Sequence, residues 1–279
     1  MKALHHLEEW PTELAAGGWI HANGGGHRAG DTGRPFPLAS VTKPLFAYAV
    51  LVAIEEGTLH LDQPAGPQGA TVRHLLAHAS GLGDNPTQQL ARVEKRRIYS
   101  NGGFELLGHL LTQSAGMPAA QYLHEAVVGP LGLTTVALEG SPAHGAVGSV
   151  DDLLTLAAEW LAPTLVSAST MQGATRVHFP HLSGVLPGFG RQDPNPWGLG
   201  FELRGSKTTH WTGAANSTAT FGHFGRSGTF VWVDPEAAVA CVVLTNRDFG
   251  PWAIEAWPQL ADAVLAEAGG STGATGPSW

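Results

Sequence analysis

The 279-residue chain has a single cysteine and few charged residues, and both shortages limit what it can be. Cys241 has no partner for a disulfide within the chain, and its place in the apolar run AVACVVLTN is typical of a buried structural thiol. Charged residues make up 14% of the chain, whereas ordinary domains carry roughly 25%. With 43% hydrophobic residues, the composition is that of a globular protein with ample material for a core.

The chain also lacks a basic cluster, a long apolar run and a secretory leader pattern. Its net charge is −8, and its densest cationic stretch, RVEKRR at 92–97, contains a glutamate. The longest apolar stretch, LFAYAVLVAI, has about ten residues and is too short to cross a bilayer. The first residues, MKALHHLEEWPTEL, contain no apolar region typical of a signal peptide. We therefore expect no nucleic-acid or membrane partner and a cytoplasmic location.

The 14 histidines do not form a recognisable metal motif. His74 and His78 stand four residues apart, but no acidic residue follows them in the pattern of the zinc proteases. We therefore expect neither a metal ion nor an organic cofactor.

Apolar periodicity and stop residues predict helices through the first half of the chain and strands after Trp197. An early strand is predicted at AAGGWIHANG, and a closing helix at PWAIEAWPQLADAVLAEAG is followed by a Gly/Ser/Thr-rich flexible tail, 268–279. The other predicted helices are VTKPLFAYAVLVAIEEG, TVRHLLAHASG, GGFELLGHLLTQSAG, PAAQYLHEAVVGPLG and SVDDLLTLAAEWLA, the last capped by Ser149. The predicted strands are GLGFELRG, KTTHWTG, STATFGHFG, GTFVWVDP and AAVACVVLTNR.

This order of elements predicts an α/β protein with an antiparallel sheet flanked by N- and C-terminal helices, plus an all-helical lobe. The sheet lobe would take residues 1–59 and 186–279, and the helical lobe residues 60–185. Between them runs a Pro/Gly-rich connection, 173–198, of a length that is uncommon unless it lines a site. We expect one catalytic unit with its site in the cleft between the lobes.

The stretch ASVTKP brings Ser40 and Lys43 onto one face of a helix, because residues three apart are neighbours there. Proline is tolerated only in the first turn, so Pro44 predicts that this helix begins at about Ser40. Lys43 then lies at the positive end of the helix dipole, where an ammonium is disfavoured. The amine should be easier to deprotonate, as a base for Ser40 requires.

Two later fragments could complete such a site. Tyr99 and Asn101, in a turn before a predicted helix, can point a phenol and an amide into one cleft, and a phenol beside a lysine is a feasible proton shuttle. The fragment GHFGRSG, with His223 and Gly225, leads into a strand whose backbone N–H groups can approach a ligand. Such an N–H, with that of Ser40, could form an oxyanion hole.

In this order, the three fragments resemble the serine β-lactamase and penicillin-binding-protein superfamily, with its Ser-x-x-Lys signature. The likeness is closest to the branch of class C β-lactamases, D-Ala-D-Ala peptidases and family VIII carboxylesterases. It extends over about residues 15–268 and includes the segments TVRHLLAHASGL, YSNGGFELLG, GPLGLTTV, NPWGLGFEL, GHFGRSGTFVWVDPE and LTNRDF.

The resemblance implies a role for each matching residue. Ser40 would be the acylated nucleophile, Lys43 its proton acceptor and Tyr99 the proton relay to the leaving group. Asn101 would orient Lys43 or a substrate carbonyl. Arg226 would supply the second oxyanion N–H from its backbone.

The third motif departs from the family pattern at two positions. His223 stands where β-lactamases have a lysine, although peptidases and esterases of this branch often carry histidine. Phe224 replaces a threonine or serine that helps to bind substrate carboxylates, which leaves Ser227 or Arg226 as possible substitutes. Alkoxide leaving groups need less protonation than amines, so esters fit this site best. Trp197, at the end of the inter-lobe connection, is the best candidate among nine tryptophans for the pocket wall.

We therefore predict a serine hydrolase that works through an acyl-enzyme, with a carboxylesterase for small or short-acyl esters as the favoured activity. The substrate would be a small ester or amide. Activity as a β-lactamase, amidase or D-Ala-D-Ala peptidase by the same route stays open, as does a non-catalytic binding protein that retains the fold.

Overall fold

The computed structural model describes residues 2–271 and shows a mixed α/β protein. In this range the α-helices are α1 Thr42–Glu55, α2 Val72–Leu76, α3 Asn101–Ala115, α4 Ala119–Leu123, α5 Val150–Leu161, α6 Ala168–Ala174 and α7 Pro251–Ser271. The strands are β1 Ala15–His21, β2 Gly26–Ala29, β3 Phe36–Pro37, β4 Ala137–Leu138, β5 Ala146–Gly148, β6 Gly184–Leu186, β7 Gly190–Gln192, β8 Glu202–Leu203, β9 Phe221–Gly225, β10 Thr229–Asp234 and β11 Val239–Thr245. Shorter turns are the 3-10 turns Ala3–Glu9 and Ala39–Val41 and the π-helical turn His124–Val128. Of the predicted tail, residues 268–271 end helix α7 and the remainder lies outside the described residues.

The main sheet has six strands in the order β2-β1-β11-β10-β9-β8, and every neighbouring pair is antiparallel. Strand β1 pairs with the last strand, so that Ala15 lies opposite Thr245 and His21 lies opposite Val239. The sheet is thus built from both ends of the chain, which confirms the predicted α/β architecture.

Alternate residues of the central strands face two separate apolar clusters. On one face, Val231 and Val242 belong to a cluster that includes α1 and α5. On the other face, Trp232 and Cys241 pack with residues of α7 and of the first 3-10 turn. Both faces are covered, which explains why β10 and β11 are buried at every position. Among residues 2–271, no helix combines the length and the apolar content needed to cross a bilayer.

Helices α1 and α5 lie on the same face of the sheet and are joined by a polar contact. The Tyr48 hydroxyl of α1 donates a hydrogen bond of 2.6 Å to Glu159 of α5. Helix α5 begins at the predicted cap, since the Ser149 hydroxyl accepts a hydrogen bond from the Asp152 N–H. It packs against β1, β10 and β11. The sheet and α5 together form the support on which α1 presents its N-terminal end.

Two local sequence predictions are wrong. The segment 207–213 is a loop rather than a strand, because Lys207, His210 and Trp211 all turn their side chains to the buried carboxylate of Glu202. The helix predicted at 71–81 ends at Leu76, since His78 has a φ of +54° that no α-helix contains. The Pro/Gly-rich connection 173–198 contains a hairpin formed by β6 and β7, and several of its residues line the cleft described below.

Candidate active site

Ser40 lies in the 3-10 turn that leads directly into α1. The residue before it, Ala39, has a φ of +46°, a left-handed conformation that is costly for a residue with a Cβ atom. The turn is held from the sheet by side chains: Thr229 donates to the Leu38 carbonyl at 3.0 Å and Ser227 donates to the Pro37 carbonyl at 2.8 Å. These contacts offset the strain and fix the direction in which the Ser40 hydroxyl points.

Lys43 lies one turn further along α1, with its side chain fully buried. Its Nζ is 3.4 Å from Ser40 Oγ, 2.6 Å from Asn101 Oδ1 and 2.9 Å from the Ala143 carbonyl oxygen. Burial lowers the pKa of Lys43 to about 7, against the opposing effect of the carboxylates of Asp84 and Glu105. At neutral pH a large fraction of this amine is therefore uncharged.

Asn101 is the first residue of α3 and is fixed between two partners. Its Oδ1 accepts from Lys43, and its Nδ2 donates to Asp84 Oδ1 at 3.1 Å. The helix start is set by Ser100, whose hydroxyl accepts from the Gly103 N–H at 2.8 Å as an N-cap. The hydrogen bond to Asp84 orients the amide so that its oxygen, and not its nitrogen, meets the lysine.

Tyr99 covers the other side of Lys43, with its ring centroid 4.5 Å from Nζ. Its hydroxyl is buried and makes no hydrogen bond within residues 2–271. Burial raises the pKa of Tyr99, and the nearby Ser40 hydroxyl opposes this shift. The phenol therefore keeps its proton at neutral pH and stands beside both the serine and the lysine.

His223, in β9, is a neutral imidazole. Its Nδ1 lies 2.6 Å from the Phe224 carbonyl oxygen, which can only accept, so Nδ1 carries the proton and Nε2 is an acceptor. This Nε2 atom is buried without a partner in the described part of the chain. Burial lowers the pKa of His223 to about 3, and the charge of Lys43 adds to the shift. The site thus presents an acceptor where β-lactamases have a cation.

The Phe224 ring packs in an aromatic group and also lines the cleft that contains Ser40. The partners within 6.1 Å between ring centroids are Phe189, Trp211, Phe249 and Trp257. Of the two predicted substitutes for the carboxylate contact, Ser227 is already engaged, whereas Arg226 is exposed and lines the cleft. The Ser227 hydroxyl is used by Pro37, and the Arg226 side chain is 88% exposed and 3.7 Å from Asp248.

Gly225 is the point where β9 approaches the Ser40 turn. A Cβ atom there would lie 2.5 Å from the Leu38 carbonyl oxygen and 2.5 Å from Thr229 Oγ1. The next residue, Arg226, makes no hydrogen bond through its backbone N–H within the described residues. A free N–H therefore follows the close approach of the strand to the serine.

These elements enclose a largely apolar cleft of about 270 Å³. The residues that line it are Ser40, Tyr99, Leu186, Pro187, Gly188, Trp197, Glu202, His223, Phe224, Arg226 and Phe249. The predicted pocket residue Trp197 is among them, with its ring centroid 5.6 Å from that of His223. Lys43, Asn101 and Gly225 are not among these lining residues.

Several residues at the site were not predicted from the sequence. Asp84, which orients Asn101, follows the segment HASGLG and carries no motif of its own. The Ala143 carbonyl that accepts from Lys43 belongs to a turn closed by a Gly145 N–H to Ser141 hydrogen bond of 2.7 Å. His78 is fully buried against Tyr99 and Trp197, and its Nδ1 accepts from the Ser100 N–H at 3.1 Å.

Glu202, a buried residue that lines the cleft, was also missed. Its carboxylate accepts from Lys207, from His210 at 2.8 Å and from the Trp211 indole at 2.9 Å. Burial opposes ionisation, but His210 and Lys207 lower the pKa of Glu202 to about 2. This buried cluster fixes the loop after β8. The sequence signal for Glu202 was its place in the segment NPWGLGFEL, which gave it no role.

Within residues 2–271, no three His, Cys, Asp or Glu side chains are grouped so that they could hold a metal ion.

Comparison with known proteins identifies similar chains over most of this length. The model of the Beta-lactamase family matches residues 12–265. A protein of Mycobacterium bovis, described in its crystal structure as a beta-lactamase, is 54% identical with a TM-score of 0.93 and covers 95% of this chain and 99% of that one. Esterase EstB of Burkholderia gladioli is 27% identical over 89% of this chain and 67% of its own length. Penicillin-binding protein 4* of Bacillus subtilis is 28% identical over 35% of this chain, which spans only 29% of that relative.

Proposed function

The chain belongs to the beta-lactamase family, and from this premise we propose that it is a serine hydrolase that forms an acyl-enzyme on Ser40. The observation that carries the proposal is the Ser40–Lys43 pair. The two functional atoms are 3.4 Å apart, and the buried amine has a pKa of about 7. A serine nucleophile needs an adjacent base of this kind.

The hydrogen bonds of Lys43 support its role as that base. Asn101 Oδ1 and the Ala143 carbonyl can only accept, so a neutral amine directs its two N–H groups to them. Its lone pair is then left for the Ser40 hydroxyl. As Ser40 Oγ bonds to the acyl carbon of the substrate, its proton passes to Lys43 Nζ.

Tyr99 would carry the proton onward. Its phenol stays protonated at neutral pH and lies beside both Ser40 and Lys43. When the bond to the leaving alcohol breaks, Tyr99 gives its proton to the alkoxide and regains one from Lys43. Water then attacks the acyl carbon, its proton passes back through the same groups, and the acid is released with the Ser40 hydroxyl restored.

The oxyanion of the tetrahedral intermediate would accept from two backbone N–H groups. Ser40 lies in the 3-10 turn that begins the helical segment, where N–H groups lack intrahelical partners, and the Arg226 N–H makes no hydrogen bond within residues 2–271. Both residues line the same cleft.

The favoured substrate class is a small or short-acyl carboxylic ester. The cleft is largely apolar, His223 is a neutral acceptor and Phe224 offers a phenyl ring where a hydroxyl would bind a carboxylate. Similarity to Esterase EstB is consistent with this choice. Turnover of β-lactams is the second candidate, because the 54% identical Mycobacterium bovis protein is described as a beta-lactamase.

We also propose that the site lies between two lobes, a sheet lobe of residues 1–59 and 186–279 and a helical lobe of residues 60–185. Ser40 and His223 would come from the first lobe, and Tyr99 and Asn101 from the second. Helix α5 belongs to the second range by sequence but packs on the sheet. We therefore propose that α5, although it lies within residues 60–185, is an exception to that range and belongs to the sheet lobe.

Covalent labelling tests the proposal. Intact-mass measurement after a fluorophosphonate probe should show one adduct on the folded protein and none on Ser40→Ala. A folded wild-type protein that stays unlabelled would exclude the hydrolase and leave a binding protein. Rates with p-nitrophenyl esters of increasing chain length and with a chromogenic cephalosporin then separate esterase from lactamase.

A further inference from the structure

A second cleft of about 330 Å³ opens beside the first. Tyr99 and Pro187 line both clefts and form the wall between them. The remaining lining residues of the second are Arg96, Arg97, Ile98, Ser183, Gly184, Val185 and Arg191. The two clefts are therefore neighbours separated by a shared wall.

Three of these residues are arginines, in a chain that has only 15 Lys and Arg against 23 Asp and Glu. The Arg96 side chain is exposed and makes no hydrogen bond or ion pair within residues 2–271. Arg191 is 3.1 Å from the Asp193 carboxylate, and both side chains are mostly exposed. Since Asp193 offsets one charge, the two exposed arginines leave one positive charge uncompensated.

Arg97 has a structural role in the same cleft. Its guanidinium is buried and donates to four backbone carbonyls, those of Ala77, His178, Phe179 and Asn195, with no carboxylate among its partners. Burial lowers the pKa of Arg97 to about 9, so it stays charged near neutral pH. Arg97 therefore adds positive potential to the cleft. Its backbone also pairs with that of Gly184, the first residue of β6, in an isolated parallel bridge.

The rest of the lining suits a short apolar spacer. Ile98, Val185 and Pro187 contribute carbon surface between the shared wall and the arginines. No acidic residue lines the cleft among the described residues. A guanidinium matches a carboxylate in shape and charge, so the exposed arginines of this cleft suit an anionic ligand.

We propose that this second cleft binds the carboxylate of an ester substrate through Arg96 and Arg191 while the ester group lies at Ser40. The proposal rests on the serine-hydrolase function and specifies its substrate as an ester with a free carboxylate on a short apolar spacer. It also gives a carboxylate a binding place apart from the third motif, where Phe224 and a neutral His223 stand.

Matched substrates test it on both sides of the ester bond. Monomethyl adipate carries the carboxylate on the acyl side, and 5-acetoxypentanoate carries it on the alcohol side. Each is compared with its neutral primary amide, methyl adipamate or 5-acetoxypentanamide, in wild type and in Arg96→Gln/Arg191→Gln. The control is Arg28→Gln, an exposed arginine of β2 paired with Asp151.

We expect at least one acid to exceed its amide in kcat/KM by about fivefold at low salt, with the preference falling as ionic strength rises. The double variant should lose the preference and keep its rate on the amides, and Arg28→Gln should keep both. Equal rates on acid and amide in wild type, or a preference that survives in the double variant, would overturn the proposal.

Binding to Ser40→Ala separates this proposal from the hydrolase function. Calorimetry with monomethyl adipate on Ser40→Ala should show binding that the added arginine substitutions weaken by about fivefold. If all esters are inert and Ser40 is unlabelled, the hydrolase function fails while this measurement still decides whether the carboxylate binds. No difference between the two proteins would exclude the arginine site.

Discussion

The side-chain amide of Asn101 donates to Asp84 at 3.1 Å, and this single contact decides which end of the amide faces Lys43. With the nitrogen held by a carboxylate, only the oxygen is available to the amine, 2.6 Å away. A chain of Asp84, Asn101 and Lys43 therefore connects the start of α3 to the serine. Asn101 orients the Lys43 amine, and the Asp84 carboxylate raises the pKa of Lys43.

The activity should rise with pH through the pKa of Lys43. Because burial lowers this pKa to about 7, the neutral amine is scarce below pH 6 and predominates above pH 8. We expect kcat/KM for p-nitrophenyl butyrate to rise by about tenfold per pH unit on the acid side and to level off above about pH 7. A flat profile, or a rate that falls between pH 6 and 8, would contradict the role of Lys43 as base.

Asp84→Asn should move that profile to lower pH. The Asp84 carboxylate raises the pKa of Lys43, so its neutralisation lowers this pKa further, whereas the Asn oxygen can still accept from Asn101. The midpoint of the acid limb is the readout. Asp62→Asn, which alters an exposed pair with Arg73 far from the lysine, should leave the midpoint unchanged; an equal shift in both variants would show that the effect is not local.

Phe224→Thr should lower the stability of the protein and add a polar group at the third motif, GHFGRSG. Removing the phenyl ring from its aromatic group should lower the free energy of unfolding by about 3 kcal/mol. The new hydroxyl should raise the ratio of cephalosporin to ester turnover, as measured by kcat/KM for both. Phe224→Leu, which has no hydroxyl, is the control; a similar ratio in both variants would mean that polarity at this position does not select the substrate.

Gly225→Ala should disturb the Ser40 turn. The added Cβ would meet the Leu38 carbonyl and Thr229 at 2.5 Å, so the strand or the turn must move. We expect a loss of about 1 to 3 kcal/mol in the free energy of unfolding, and a drop in the labelling rate of Ser40 of at least about tenfold. Gly173→Ala in α6, where nothing lies within 4 Å, should change neither by a comparable amount. Unaltered labelling in Gly225→Ala would refute the proposed coupling of strand and serine.

Glu202→Gln should destabilise the fold by about 3 kcal/mol at neutral pH, since Lys207 would keep a buried charge without its carboxylate. The wild-type pKa of about 2 lies below the ordinary 4.5, so Glu202 contributes stability that is present above pH 4.5 and lost as pH falls toward 2. Unfolding free energies measured from pH 6 to 3 should therefore fall less steeply in Glu202→Gln. Parallel curves for the two proteins would contradict the assigned ionisation.

The sequence predicted the strands and helices whose patterns are local and regular. Strands β10 and β11 are apolar runs bounded by turn residues, and Ser149 with two aspartates marks the start of α5. The site residues were predicted through motifs whose residue types are needed for one reaction, such as Ser40 with Lys43. Their meeting in one cleft could be inferred from the family likeness, because no local pattern specifies it.

What could not be predicted depends on contacts distant in sequence. The loop 207–213 has the β-branched residues of a strand, but Glu202 draws its polar side chains inward. The carbonyl of Ala143 carries no sequence signal, because any residue has one. Asp84 gains its importance only from the partner that α3 brings within reach.

The pairing of β1 with β11 has a consequence for synthesis of the chain on the ribosome. Strand β1 can pair with β11 only after residue 245 has left the ribosome. The Ser40 turn likewise gains its hydrogen bond from Thr229 only after that residue has been synthesised. Contacts of such long range make folding slow, because loop closure precedes any gain from them. Ser40 should therefore become reactive late in synthesis. The time at which a fluorophosphonate first labels it should report when the fold is completed.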